Sequence, residues 1–274
     1  MIGPITNPYP KHHPLQNGAI ALSIGEHGDT FIRRNREMLN VDRQPAGLNF
    51  YELRWPSDAM GMVLIEQRTG KLPIEHVLSV TGTEDMEFPA EGLNSFSINS
   101  TLATTDTISH DDARMKTYSY LNRIVQSGWR VIIPRNVARV RGKHMTEFML
   151  QSRKSTSLDP SYLPTMDEWM KFANLTEWAF YADHMFLTVQ MTRERTLTDP
   201  SKPGAYLLTT ELSNENGHFR GYVDGLDRPQ WKKLLKHQVD RMSETRVLQE
   251  AEIRKKGIPI DERYVDPPLP DLEK

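Results

Sequence analysis

The sequence predicts an α+β protein built on largely antiparallel sheet, with a central helix, a long C-terminal helix and room for two lobes. Three observations predict it. Short alternating strand patterns stand both before and after the middle of the chain. Between them, residues 109–134 (SHDDARMKTYSYLNRIVQSGWRVIIP) form a clear helix-then-strand unit. Near the C-terminus one helical pattern runs from Asp227 toward Lys256. Strands, helix, strand, helices, strands, helix is the order of an α+β chain.

Residues 1–18 read as an extended arm, with four prolines and the adjacent His12 and His13, which are expected to be solvated. A first lobe is assigned to 19–154. It opens with a short helix over 28–39, with Asp29 as its cap. Residues 48–55 and 62–67 read as strands, and the turn-like PSDAMG between them predicts a hairpin. Residues 76–81 and 95–99 are two more strands, separated by a polar loop, GTEDMEFPAEGLN.

In the central unit Ser109 caps the helix, with Asp112 at the capping-box position and Asp111 beside it in the first turn. Ala113, Thr117, Tyr120, Leu121 and Ile124 share one face, widened by Tyr118 and Val125. Gly128 ends the helix, residues 129–133 form a buried strand, and Pro134 stops it. Residues 142–151 predict a helix with Met145, Phe148 and Met149 inward.

A second lobe is assigned to 155–257. After a Ser/Pro-rich connection, Thr165 and Glu168 form a capping box. Residues 178–193 predict a hairpin turning near 182–184, with Phe186, Thr188 and Gln190 facing opposite Leu187, Val189 and Met191. Residues 205–212 and 218–223 are read as strands. Asp227 is expected to cap the final helix, about 29 residues and roughly 43 Å long. Trp231, Leu234, Leu235, Val239 and Met242 give its first half a docking face; its polar second half is expected on the surface or projecting. Residues 258–274 are a Pro-rich tail.

The net charge of −2 gives no reason to expect nucleic-acid binding. No apolar run approaches the roughly 20 residues of a membrane span. The absence of cysteine excludes disulfides, thiol catalysis, zinc–thiolate sites and iron–sulfur clusters. Met1 leads directly into a Pro-rich segment without an apolar signal core, which suits a cytoplasmic start or a chain from which a targeting segment was removed.

Charge is segregated along the chain. Residues 72–113 carry eight acids and no Lys or Arg; residues 114–154 carry ten bases against Glu147 alone. The plainer reading is that the two blocks neutralise each other within the fold. The functional reading is an acidic face that steers a basic partner. Its contact residues would be Glu84, Asp85, Glu87, Phe88 and Glu91, which share one polar loop. There is no nucleophile elbow, no phosphate-cradling glycine loop and no H-E-x-x-H. His110–Asp111 sits where a helix wants a capping acid, and Asp183–His184 reads as a hairpin tip. No catalytic residue, metal or cofactor is expected. Paired carboxylates for hydrolysis stay open, because their separation is not visible in sequence.

EFPAEGLNSFSIN, the 110–134 unit, LPTMDEWM, TDPSKPGAYLLTTEL and GIPIDERYVDPPLP together resemble a family of Gram-negative bacterial proteins associated with type VI secretion phospholipase effectors. The resemblance spans residues from about 27 to 270. It implies an immunity protein that binds a cognate toxin and neutralises it by occlusion, in the periplasm and often anchored as a lipoprotein. The chain departs from that pattern in having neither a signal segment nor a lipidated cysteine. The alternatives are a cytoplasmic adaptor that loads an effector onto the secretion apparatus, and a hydrolase.

Overall fold

The fold is organised by one strand that changes partners halfway along. The structure, a computed structural model, describes residues 18–68, 70–152 and 157–272. In chain order its elements are β1 (Ile20–Leu22), α1 (Gly28–Asn35), β2 (Asn40–Arg43), β3 (Leu48–Arg54), β4 (Gly61–Gln67), β5 (Gly70–Asp85), β6 (Leu93–Thr101), α2 (His110–Gln126), β7 (Arg130–Val131), α3 (Gly142–Ser152), α4 (Met166–Lys171), β8 (Thr176–Ala182), β9 (Met185–Arg193), β10 (Tyr206–Asn214), α5 (Glu215–Arg220) and α6 (Trp231–Lys255). The strands form one sheet in the order β1-β4-β5-β6-β10-β9-β8-β7, with β3 also on β5 and β2 on β3. All pairings between these strands are antiparallel except β1 with β4. The mixed α+β class read from the sequence is the class observed.

β5 is far longer than the 76–81 segment expected. Its first half pairs with β4, from Gln67↔Gly70 to Gly61↔Val77. Its second half pairs with β3, from Arg54↔Ser79 to Leu48↔Asp85. β3 and β4 therefore lie end to end along one edge of β5, and the expected hairpin between them does not form. At the handover His76 takes φ +53° and the register slips on both sides. Pro73 is tolerated because it falls in the half of β5 that has only β4 beside it. The polar loop shrinks accordingly, since residues 82–85 belong to β5 and residues 89–91 make a 3-10 turn.

α2 forms as its sequence dictates. Ser109 Oγ accepts the Asp112 N–H at 3.0 Å, and Ala113, Thr117, Tyr118, Tyr120, Leu121 and Ile124 are buried. Val125 stays 40% exposed, so it does not widen the face. Of the strand expected over 129–133, only β7 pairs with β8, though Ile132 N–H continues to Ala179 O at 2.9 Å. The Thr165–Glu168 capping box of α4 is complete. β8 and β9 join through Asp183 and His184, at φ +49° and +61°. Leu187, Val189 and Met191 enter the large core with Ile124 and Trp178, while Phe186, on the opposite face, packs under α5 and α6.

Three further expectations are corrected. Residues 218–223 are not a strand, because Asn214 caps α5 by accepting the Gly217 N–H at 2.6 Å. Asp227 lies in a 3-10 turn (Gly225–Gln230) ahead of α6 and makes no side-chain cap; likewise His27, not Asp29, holds the cap position of α1. The polar second half of α6 does not project. Arg246 is 8% exposed and donates to the Val137 and Pro134 carbonyls, both at 2.9 Å, and to Asp266 at 2.7 Å. Glu250, 2% exposed, accepts from Arg139 Nε at 2.7 Å and Nη2 at 2.8 Å. The tail is fastened to the same junction, with Tyr264 Oη accepting the Ile133 N–H at 2.8 Å. β6 and β10, from the two stretches assigned to separate lobes, pair from Ser95↔Ser213 to Thr101↔Leu207, so one sheet runs through both. The arm with His12 and His13, apart from Gly18, lies outside the described residues, as do Arg153 and Lys154.

Candidate protein-binding site

The five residues singled out in sequence meet at one end of the sheet, where β5 turns into β6 beneath α5. Most of their charge is spent inside the fold. Glu84 accepts from Tyr51 Oη at 2.6 Å and Asn49 Nδ2 at 3.1 Å, and receives the Gly28 N–H at the start of α1. Burial raises its pKa, but these hydrogen bonds outweigh burial and hold it below the ordinary carboxylate value. Burial first, then the hydrogen bond to Glu84 and the Glu84 charge, push the Tyr51 hydroxyl up.

Asp85 is 5% exposed. It accepts the Glu87 N–H at 3.0 Å and Arg228 Nη2 at 2.5 Å. Glu91 is held by Arg220, at 2.6 Å from Nη2 and 3.2 Å from Nη1, and by the amides of Asn214 and Asn216 at 3.1 and 3.0 Å. Burial again raises the Glu91 pKa, and the Arg220 pairing and the two amides bring it below the ordinary value. The Arg220 side chain is 3% exposed and its guanidinium lies 3.7 Å over the Phe88 ring, so Phe88 is half-buried rather than displayed. Glu87 alone of the five is exposed.

The arginines come from α5 and the 3-10 turn before α6. That is why sequence reasoning missed them: Arg220 and Arg228 stand 129 and 143 residues from their acids. The available signal was the N-E-N-G cap at 214–217, which was read as a turn leading into a strand. Asp85, Asn94, Ser213, Arg220 and Arg228 line a cleft of about 340 Å³ at this end. Met86 (47% exposed) adjoins Asp85, and Leu226 (98% exposed) lies two residues from Arg228. The result is a ridge with apolar tips, tied across by Arg228–Asp85 and braced from below by Arg220–Glu91.

A second cavity, of about 170 Å³, lies between the sheet and α5 and is lined by Glu177, Phe186, His218, Tyr222 and Asp266. His218 stacks on Phe186 at 3.5 Å and 2°, and its Nε2 lies 3.0 Å from Tyr222 Oη. Burial, helped by the Arg135 charge, lowers its pKa to about 4. Burial raises Glu177.

His110 of the His110–Asp111 pair is also engaged. Its Nε2–H donates to the Asp199 carbonyl at 3.1 Å. Nδ1 is then an acceptor for the Tyr206 hydroxyl, which itself accepts Trp169 Nε1–H at 3.1 Å. That chain locks the start of α2 to β10 and α4. Among the described residues no group of three His, Asp or Glu side chains could hold a metal ion, and no helix is long and apolar enough to cross a membrane. Compared with models of known families, with curated proteins and with solved structures, the chain matches none.

Proposed function

We infer that this chain is an immunity protein, which binds a cognate type VI secretion toxin of the phospholipase class and neutralises it by covering its active site. The resemblance supplies the kind of partner. The observation that supports the mode of action is the braced ridge at the end of the sheet. Met86 and Leu226 stand exposed on loops whose geometry is fixed by ion pairs behind them. Contacts held in place before binding lose less entropy on association, which favours tight complexes. A stable inhibitor complex buries roughly 1,200 Å² or more in total, so the ridge would form its centre and neighbouring surface its rim. The encounter would take place in the periplasm, with a lipid anchor supplied by the native precursor; the adaptor reading places it in the cytoplasm.

The test is co-purification with the protein encoded beside it, followed by a lipase assay of the mixture. A stable complex with activity lost is expected. Leu226→Asp should weaken that complex at least tenfold while leaving the fold intact, because the side chain touches almost nothing within the chain. A complex with full lipase activity would replace immunity by the adaptor. Absence of any complex would remove both readings.

A further inference from the structure

A cavity of about 260 Å³ opens between α2 and the mid-strand bend of β5 at His76, away from the Asp85 end. One wall is a single stripe of α2: Lys116, Ser119, Tyr120 and Arg123, spaced i, i+3, i+4 and i+7. Glu75 and His76 form the facing wall, and the buried Ile74, Leu102 and Leu208 make the floor.

Several cations of the basic block are engaged by acids: Arg114, Arg139 and Arg141 each hydrogen-bond a carboxylate, and Arg135 pairs with Asp266. Among the described residues, Lys116 donates to the Leu102 carbonyl at 3.1 Å and pairs with no acid. Arg123 reaches the exposed Glu75 at 3.9 Å, and its guanidinium lies 5.7 Å from the Tyr120 ring. Lys116 is thus held beside Leu102 and Arg123 beside Glu75. Seven residues of helix put their Cα atoms about 10 Å apart. The apolar residues and Tyr120 line the same cavity.

The backbone under one end is strained. His76 sits at φ +53°, a left-handed region unfavourable for a non-glycine residue. Glycine would relieve that strain, yet the position carries an imidazole that lines the cavity beside Arg123.

We propose that this cavity binds a small organic dianion, two carboxylate-like groups joined by a short apolar spacer, one held by Arg123 and His76 and the other by Lys116. The site is independent of the ridge and of the toxin reading. Two cations carried by residues whose Cα atoms lie about 10 Å apart, in a cavity also lined by Ile74, Leu102 and Leu208, match a linear dicarboxylate of about six carbons better than a compact oxyanion such as phosphate.

The experiment is calorimetric titration of the whole chain with adipate, hexanoate and inorganic phosphate. Saturable adipate binding is expected, at least fivefold tighter than hexanoate and than phosphate. Lys116→Gln should reduce adipate to the hexanoate level. Arg123→Gln and His76→Gly should each weaken adipate severalfold, and His76→Gly should melt no lower than the parent chain, since it removes backbone strain. Glu75→Gln should tighten adipate severalfold by releasing Arg123, a gain that misfolding cannot mimic. No saturation up to about 10 mM adipate, adipate no tighter than hexanoate or phosphate, or Lys116→Gln binding like the parent would each overturn the proposal.

Discussion

Replacing His218 by Phe should flatten the acid side of the stability profile. The imidazole is stacked on Phe186 at 3.5 Å and held to a pKa of about 4, against 6.5 when free. Between those values the unfolded chain binds a proton that the folded chain refuses. Stability from this residue is therefore complete above about pH 6.5 and is lost as pH falls toward 4. Evaluated between about pH 7 and pH 4.5, the loss is about 2 kcal/mol, with a ceiling of about 3 kcal/mol once both states are protonated. His218→Phe keeps the stacked ring and removes the titration. Urea unfolding at the two pH values should show the parent losing about 2 kcal/mol more than the variant. The Tyr222 hydroxyl loses a partner in that variant, a cost that does not depend on pH. Tyr222→Phe separates the two effects, since it should keep the parent's pH slope. Identical slopes in the parent and His218→Phe would mean that the imidazole titrates as in water, and burial would not be what lowers its pKa.

Other outcomes follow from single contacts. Glu91→Gln leaves the Arg220 charge, 3% exposed, without its acid, and should cost about 3 kcal/mol by urea unfolding. Glu87→Lys, on the exposed member of the same stretch, should change stability by no more than about 0.5 kcal/mol. Gly61→Ala would set a Cβ 2.3 Å from the Trp55 ring, so it should lower the melting temperature by several degrees and alter Trp55 emission. Gly204→Ala meets the His110 ring at 2.5 Å and should loosen the Trp169–Tyr206–His110 chain, read as faster amide exchange at the start of α2.

What could be read in advance was local. The Ser109 and Thr165 caps each need only the next three residues, and both formed as expected. The tip at Asp183–His184 was legible for the same reason. What failed depended on partners far along the chain. Whether residues 48–54 and 61–67 pair with each other or lie in line depends on the length of β5, and Pro73 and His76 disguised that length. H-F-R-G-Y-V alternates like a strand, but the Asn214 cap and the apolar bed under Phe219 made helix of its first half. The polar face of α6 gave no hint of docking because it docks through Arg246 and Glu250, whose partners in the 133–139 segment and at Asp266 lie far off or past a turn in the chain. Of the candidate site, the acids were visible in the sequence and the arginines that hold them were not.

The two charge blocks meet each other at Arg114–Asp111 and Arg123–Glu75, but their buried charges are neutralised from elsewhere. Asp85 and Glu91 of the acidic block go to Arg228 and Arg220, and Glu84 to a tyrosine, an amide and a helix terminus. Arg135, Arg139 and Arg141 of the basic block go to Asp266, Glu250 and Asp261. The last fifth of the chain thus supplies counter-charges to both blocks, which ties the ridge, the α6 junction and the tail into one electrostatic framework. Little of the acidic stretch is left to act as a long-range field. At the ridge the uncommitted features are one carboxylate, Glu87, and two apolar tips, Met86 and Leu226. On the proposed reading, recognition there would rest on shape and apolar contact more than on steering, since a single exposed charge is screened beyond about 10 Å at ordinary ionic strength. A partner selected this way would be distinguished chiefly by how slowly it leaves, which is the behaviour a neutralising inhibitor requires.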